Sequence, residues 1–260
     1  MPNLLKKIDK FEPLPPKYRV FKLFKATIGK KYKAENIECL FDINDLPAKA
    51  IVVSNHSAKR GPMALTISYP KYNYKWGASG MLGNYISRFK YLRNVLYIQK
   101  KHKNKFIATL KAFYEAIFSI YVYKGMRMLP TFTDARFRHT IRASMKVLDA
   151  GYTVMVFPED SSTGYYDELT SAFPGFVMLS ESYFKKTGED VPVIPIYYHD
   201  ATKSIKIGNP RYVQPMVAEG MDRQQIADVF KEDINSLYRT YFKAYDDEQF
   251  AKTHKKKELK

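Results

Sequence analysis

The stretch that decides the fold is residues 50–62, which read AIVVSNHSAKRGP. It opens with an unbroken apolar run, as expected for a β-strand that is covered on both faces. The sequence then becomes polar, and the proline at its end predicts the first turn of a helix. A strand, a polar loop and a helix in this order form the repeating unit of sheets with parallel strands.

The same alternation continues on both sides of this stretch. It predicts an α/β fold with a mixed, largely parallel sheet flanked by helices. The predicted strands are 37–41, 50–54, 73–78, 127–129, 153–157, 191–198 and 204–207. The predicted helices are 16–29, 62–69, 82–97, 104–123, 134–150, 175–186 and 222–241, the last of which opens with Asp222 and Gln225 in the pattern of a capping box. We expect three parts, namely an amphipathic N-terminal segment that is a candidate for a membrane surface (1–35), the α/β domain (36–248) and a basic C-terminal tail (249–260).

Composition limits the class of protein and its partners. Of 260 residues, 45% are hydrophobic and 27% are charged, which is typical of a globular domain and excludes disordered, collagen-like and coiled-coil chains. Lys and Arg number 43 against 26 Asp and Glu, and the net charge of +17 favours an anionic partner, either nucleic acid or a phospholipid surface. The single cysteine, Cys39, favours a reducing compartment. With no signal-peptide core and no uncharged run of roughly 18–20 residues, we expect a cytoplasmic protein, peripheral on the inner face of the membrane.

Two helices leave alternatives open. In the predicted helix 16–29, Tyr18, Phe21, Phe24 and Ile28 share one side while lysines and arginines lie elsewhere. This pattern fits either a surface helix packed on the domain or a helix at a lipid interface. The stretch 106–123 is the most apolar of the chain. It fits either a buried core helix or a helix that dips into a membrane or lines an acyl chain.

Two polar loops follow buried strands at the carboxyl edge of the predicted sheet, where α/β proteins bind ligands. In the first loop, the His56 imidazole is suited to accept a proton from a hydroxyl that attacks an acyl group. Asn55 is suited to fix the loop by bonding to the backbone. Lys59 and Arg60 are suited to hold an anion at the start of the next helix.

The second loop, 158–172, begins with Glu159 and Asp160. Their carboxylates could bind a hydroxylated acceptor, orient His56 or stay solvated. Gly175 then opens a helix with a residue small enough to permit close approach of the backbone.

These blocks together resemble the glycerolipid acyltransferase family, of the 1-acylglycerol-3-phosphate acyltransferase type. The family's Asn-His-x-Ser-x-x-Asp block is matched by 55–61, and its Phe-Pro-Glu-Gly-Thr-Arg-Ser block by 157–163. Its Phe-Lys-x-Gly stretch is similar to 173–175, one residue shorter, and its Val-Pro-Val-Ile-Pro block is 191–195. The resemblance covers roughly residues 45–210.

The resemblance implies a fold like that of glycerol-3-phosphate acyltransferase. It also implies transfer of a fatty acyl group from acyl-CoA or acyl carrier protein to a hydroxyl of a lysophospholipid or related glycerolipid. His56 would then be the general base, and no cofactor or metal beyond the acyl donor is expected. The five histidines and Cys39 show no metal-ligand spacing.

The departures from the family pattern are specific. The aspartate that follows the histidine by five positions in the family is Gly61 here, and the arginine that helps to hold the acceptor phosphate is Ser162, next to Ser161. A second family block supplies a further cation, for which Arg127 and Arg136 are the candidates. We therefore expect a divergent member, in which a carboxylate of Glu159 or Asp160 supports His56, so that these three are the expected catalytic residues. The expected substrate-binding residues are Asn55, Lys59, Arg60, Arg127, Arg136, Ser161, Ser162 and Gly175.

Two other functions compete with acyl transfer. A relative that has lost catalysis would bind lipids on the same fold. A nucleic-acid-binding protein would use the +17 charge together with the 21 Tyr and 17 Phe residues. Most of these aromatic residues occur at the spacing of core positions, and no RNA-binding signature is present, so nucleic acid is the least favoured partner.

Overall fold

The computed structural model describes residues 2–14, 19–57, 60–160 and 164–258. Within them each predicted strand is present. The strands are β1 Asn36–Cys39, β2 Ile51–Ser54, β3 Asn73–Ala78, β4 Met128–Thr131, β5 Thr153–Val156, β6 Val193–His199 and β7 Ser204–Ile207.

These strands form one sheet in the order β1-β7-β6-β2-β5-β3-β4. The five strands from β6 to β4 run parallel to one another. Strand β7 is antiparallel to β6, and β1 is parallel to β7. The mixed, largely parallel sheet predicted from the sequence is therefore confirmed, and the carboxyl ends of β2, β5 and β6 meet at one edge.

Helices cover both faces of this sheet. They are α1 Pro2–Asp9, α2 Arg19–Thr27, α3 Arg60–Ser68, α4 Ser79–Leu82, α5 Tyr85–Lys90, α6 Lys105–Gly125, α7 Phe137–Asp149, α8 Gly175–Thr187, α9 Val213–Ala218, α10 Arg223–Tyr241 and α11 Lys243–Glu258. A π-helical segment, Tyr91–Lys100, continues α5. The capping box predicted at Asp222 and Gln225 is present, because each side chain accepts a bond from the other residue's main chain.

The central strands explain why their apolar runs are uninterrupted. All four residues of β2 and of β5 are buried, as are all seven of β6. Ile51 and Val53 point into the core beneath α7, α8 and α10, whereas Val52 points into a second core that includes Leu65 of α3. Alternation along the strand thus supplies apolar side chains to both faces, as a sheet covered by helices requires.

Among the described α-helices, α1, α9 and α11 had no counterpart in the prediction, and α4 overlaps the predicted helix 82–97 only at Leu82. Helix α1 is held on α7 by a hydrogen bond between Asp9 and His139, and just after α1 Glu12 forms an ion pair with Lys146. These contacts leave no local sequence signal. Helix α9 is a single short segment. Helix α11 runs continuously past residue 248, where we expected the domain to give way to a tail.

Of the two helices for which the sequence left alternatives open, the structure decides one. Tyr18 lies outside the described residues, as do the side chains of Phe21, Phe24 and Ile28, so the choice between surface helix and lipid interface stays open for α2. For α6 the buried-core alternative is wrong, because its large apolar side chains are exposed. Among the described residues α6 is also the one helix long and apolar enough to cross a membrane.

Candidate active site

The two polar loops predicted to converge do meet at the carboxyl edge of the sheet. The main-chain N–H of His56 donates a hydrogen bond of 3.1 Å to the Glu159 carboxylate. The contact follows from register, because Val53 of β2 lies opposite Val156 of β5 and the two strands are parallel neighbours. Two loops that leave adjacent parallel strands at the same level start side by side.

Glu159 is held in place by the shape of its own loop. Glu159 is only 8% exposed to solvent. The loop doubles back, so that Glu159 forms an isolated β-bridge with Ala172, and the Phe173 N–H donates to the Pro158 carbonyl at 2.8 Å. A buried carboxylate costs free energy unless N–H groups solvate it, and the His56 main chain supplies one of them.

The His56 imidazole lies between two aromatic rings. It stacks on Tyr165 with ring centroids 4.9 Å apart and meets Phe157 in an edge contact at 5.2 Å. The residue is half-buried, and its Nδ1 atom is shielded from solvent. The rings fix the orientation of the imidazole and exclude part of the water around it, which strengthens electrostatic interactions in the site.

Asn55 fastens this loop to the neighbouring strand. Its amide donates to the Tyr198 carbonyl at 2.9 Å and accepts from the Tyr198 N–H at 2.8 Å. Both bonds are buried, so the side chain replaces a pair of sheet hydrogen bonds just beyond the end of β2. Asn55 thereby fixes where His56 leaves the sheet.

Gly61 is packed against the main chain of His56. A Cβ atom at this position would lie 2.5 Å from the His56 carbonyl oxygen and 3.4 Å from that of Asn55. The first of these distances is far below van der Waals contact, so the loop in this conformation admits only glycine. The aspartate that the family pattern carries here has no room, which gives the departure noted in the sequence a steric cause.

The predicted cations do not all lie at this edge. Arg60, at the start of α3, forms an ion pair with Asp200 at 3.2 Å, and this hydrogen bond raises the pKa of Arg60. Arg136 follows β4 and pairs with Asp134, whose pKa it lowers to about 2. Arg127 precedes β4 and so lies at the opposite, amino edge of the sheet, where its guanidinium stacks 3.9 Å from the Tyr72 ring.

The remaining predicted residues are Lys59, Ser161, Ser162, Asp160 and Gly175. The first three lie outside the described residues. Asp160 follows Glu159 and is partly exposed. Gly175 opens α8, and a Cβ there would lie 3.0 Å from Phe137 and 3.2 Å from Trp76, so its small size serves packing between helix and sheet.

A cavity of about 310 Å³ adjoins the His56 loop and was not predicted. Ser57 lines one side of it, and His199 and Asp246 line another, with their side chains joined at 3.1 Å. His199 ends β6, so the rule that ligands bind beyond strand ends would have indicated it. Asp246 lies on α11 and comes close only through the fold. The other lining residues are Asp167, Tyr197, Tyr198, Asp200 and Ala201.

The stacking of Tyr165 on His56 is a second feature that the sequence did not indicate.

In the part of the chain that the structure describes, no group of three or more His, Cys, Asp or Glu side chains is arranged to hold a metal ion. The groups at this edge suit proton transfer, because an oriented imidazole and a buried carboxylate lie beside an open cavity.

No protein-family profile matches the chain, and no curated protein sequence matches it. Among solved structures, the fold is similar to that of the 1-acyl-sn-glycerophosphate (LPA) acyltransferase PlsC from Thermotoga maritima, with a TM-score of 0.44 and 15% sequence identity. The similarity covers 90% of this chain and 79% of that chain. This similarity concerns the fold alone.

Proposed function

We propose that this chain is an O-acyltransferase, which moves a fatty acyl group from an acyl thioester to a hydroxyl of a lysophospholipid or related glycerolipid at a membrane surface. The observation that carries the proposal is the hydrogen bond between His56 and Glu159, 103 residues apart in sequence. It supports the pairing of the two loops on which the motif resemblance depends.

In this reaction the His56 imidazole accepts the proton of the acceptor hydroxyl as its oxygen attacks the thioester carbonyl carbon. The new C–O bond forms, the C–S bond breaks, and the imidazolium returns its proton to the departing sulfur. The products are an ester and a free thiol. Acyl-CoA or acyl carrier protein is the donor we expect, with no further cofactor.

Glu159 takes over the part that the missing aspartate plays in the family pattern. Its carboxylate binds the main chain of His56 and so fixes the position of the ring. Its negative charge, buried close by, also favours the imidazolium that forms during the reaction. Glu159 is thus a positioning residue, and Asp160, the next residue of the loop, is the alternative candidate for the same part.

Arg60 and Arg136 are the described cations that we propose for the phosphate of the acceptor. Both follow strand ends on this edge, and both are paired with an aspartate that a substrate phosphate would displace or share. The +17 net charge supports the same assignment, because it attracts both an anionic bilayer and phosphorylated substrates. We place the protein on the cytoplasmic face of the membrane for this reason.

The test is transfer of a labelled acyl group from acyl-CoA, and separately from acyl carrier protein, to lysophosphatidate and other lysolipids in anionic vesicles. We expect His56→Ala to abolish transfer and Glu159→Gln to lower it about a hundredfold, the effect of a small misplacement of a reacting group. Glu219→Gln is the matched control for the carboxylate change, since Glu219 is exposed at the end of α9 and lies outside the site. Unchanged transfer by His56→Ala would refute the mechanism.

A lipid-binding protein without turnover is the second candidate. The observation that favours it is Gly61, because the loop sterically excludes the aspartate that the family pattern carries five positions after the histidine. If the wild-type protein retains a fluorescent lysolipid but forms no product with any acceptor, binding without catalysis becomes the function.

A further inference from the structure

Helix α6 exposes its large apolar side chains and buries its small ones, which is the reverse of what helices of water-soluble domains do. Eight large apolar residues on it are exposed, from Ile107 at 39% to Phe106 at 79%. At about 100° per residue they fall within an arc of about 140° on one side of the helix. The eight are Phe106, Ile107, Leu110, Phe113, Tyr114, Ile117, Phe118 and Tyr121, and together we call them the α6 apolar face.

The opposite side of α6 is made of small residues and is buried. Ala108, Ala112 and Ala116, each 0% exposed, pack against Leu92 and Tyr97 of the π-helical segment. Small side chains let two helix backbones approach closely, which is how helices associate when lipid covers their other faces. In water the same helix would gain by turning its large side chains inward, so the arrangement points to an apolar medium outside.

Buried polar contacts fix this orientation. The Arg88 guanidinium on α5 donates to the Ala116 carbonyl at 3.1 Å and to the Gly83 carbonyl at 2.7 Å. Rotating α6 to bury its large side chains would break the bonds to Ala116 and leave a charged group unsatisfied. The exposure of the α6 apolar face is therefore built into the packing.

Exposed lysines border the α6 apolar face, as is typical of helices that contact anionic lipid headgroups. Lys101, Lys103 and Lys105 are exposed at its beginning and Lys124 is exposed at its end. Lys111 lies just beyond one edge of the arc, at about 140° from Phe106. Cations around an apolar face bind anionic lipid headgroups while the apolar side chains enter the acyl region.

We propose that the α6 apolar face is the surface by which this protein docks onto an anionic phospholipid bilayer, with α6 lying in the plane of the interface. The helix lies in the plane because protein covers its small-residue side from Ala108 to Ser119, so that only one side is available to lipid. With 21 residues it offers a contact about 31 Å long.

The docking surface is connected to the candidate active site. Tyr91, in the π-helical segment that packs on α6, also packs on α4, because a Cβ at Gly80 would lie 3.1 Å from its ring. Helix α4 directly follows β3 and so lies at the same carboxyl edge of the sheet as the His56 loop. Docking through α6 therefore turns this edge of the sheet towards the interface where a lysolipid resides. Its relevance to catalysis rests on the proposed function, whereas the docking itself does not.

Binding is tested with the full chain and sedimentable vesicles of phosphatidylcholine with and without phosphatidylglycerol. We expect Phe113→Ser combined with Phe118→Ser to weaken binding about tenfold or more, because two rings leave the apolar phase. Phe250→Ser is the matched control, since Phe250 is 66% exposed and Phe118 is 65% exposed. His56→Ala should bind like wild type, so failure of docking and failure of catalysis are distinguishable.

Depth is tested by tryptophan fluorescence with lipids brominated on their acyl chains. Phe118→Trp should gain an emission that these lipids quench, whereas Phe250→Trp should not, with Trp76 present in both. Equal quenching of the two variants, or none, would overturn the proposal. So would a lipid-free dimer that the double serine substitution dissociates while vesicle binding stays unchanged, because the face would then cover a second copy of the chain.

Discussion

Position 61 shows how one Cβ atom limits the catalytic pair that this loop can carry. Gly61 lies at the start of α3, four residues after Ser57, which adopts a positive φ of 39° in a turn. The turn brings the His56 carbonyl to within 2.5 Å of where a Cβ would be. Changing the residue at 61 therefore changes the path of the whole loop.

We predict that Gly61→Asp lowers acyl transfer and lowers the free energy of unfolding by about 1–3 kcal/mol, as overpacking does. A simple reading of the motif predicts the opposite, namely a gain of activity from restoring the aspartate. Urea unfolding and the transfer assay measure both effects. Gly61→Ala is the control, since it adds the Cβ without the charge and should cost similar stability. Increased transfer by Gly61→Asp with unchanged stability would contradict the steric explanation.

The sequence predicted which residues meet at this site but not which atoms. His56 and Glu159 were predicted together because their loops leave buried strands at the same edge. That the carboxylate binds the main chain of His56 depends on the turn at Ser57, and the stacking of Tyr165 depends on the path of a long loop. Arg127 was expected to bind substrate, but it precedes β4 and therefore lies at the opposite edge of the sheet. Because β4 has only four residues, a small difference in where the strand lies moves a side chain from one edge to the other.

At the scale of elements, β3 carries a buried cation at the edge of the sheet away from the site. Lys75 is 1% exposed and bonds to Asn73, with the buried Arg127 close by. Burial, and then the charge of Arg127, lower the pKa of Lys75 well below its ordinary value. The unfolded chain therefore binds the proton more readily than the folded one.

This linkage has a definite sign. At pH values between the lowered pKa and about 10.4 the unfolded state holds more protons, so the contribution of Lys75 to stability becomes more favourable as pH rises. We predict that Lys75→Met raises the free energy of unfolding at pH 7 by about 1–3 kcal/mol and that the difference from wild type shrinks towards pH 10. Denaturant unfolding across this range measures it. Lys90→Met, at an exposed lysine, should show no such pH-dependent difference.

The elements themselves were largely predictable because their signals are local. Apolar runs gave the strands, and the Asp222 capping box gave the start of α10. Helix α1 was missed because contacts with α7, distant in sequence, hold it in place. The burial of α6 stayed open because apolar composition alone fits both a core helix and a helix that contacts lipid. The alanines at 108, 112 and 116 form the narrow buried side, and that four-residue spacing is readable in the sequence.

At the scale of the whole molecule, two forces are available for association with a membrane. The +17 net charge acts over a distance that salt shortens, from about 10 Å at 0.1 M to about 3 Å at 1 M. The α6 apolar face acts only on contact and is insensitive to screening. Their combination distinguishes a bilayer from nucleic acid, which offers charge without an apolar phase.

We predict that binding to anionic vesicles weakens about tenfold or more between roughly 0.05 and 0.5 M salt but persists. Vesicle co-sedimentation at several salt concentrations measures it, with a single-stranded RNA oligomer as the comparison. RNA binding should be lost as salt rises. Complete release from vesicles at high salt would show that charge alone holds the protein there. Retention of RNA together with indifference to vesicles would favour the nucleic-acid alternative.

The route of the chain between β3 and β4 has a further consequence. Residues 79–127 leave the sheet from one strand and return to the next one at the border of the sheet. Such a detour can lengthen, shorten or be exchanged without shifting the register of β2, β5 and β6. Membrane binding and catalysis therefore depend on different segments of the chain. A chimera in which a wholly polar hairpin replaces residues 79–127 should retain catalysis but no longer bind the bilayer.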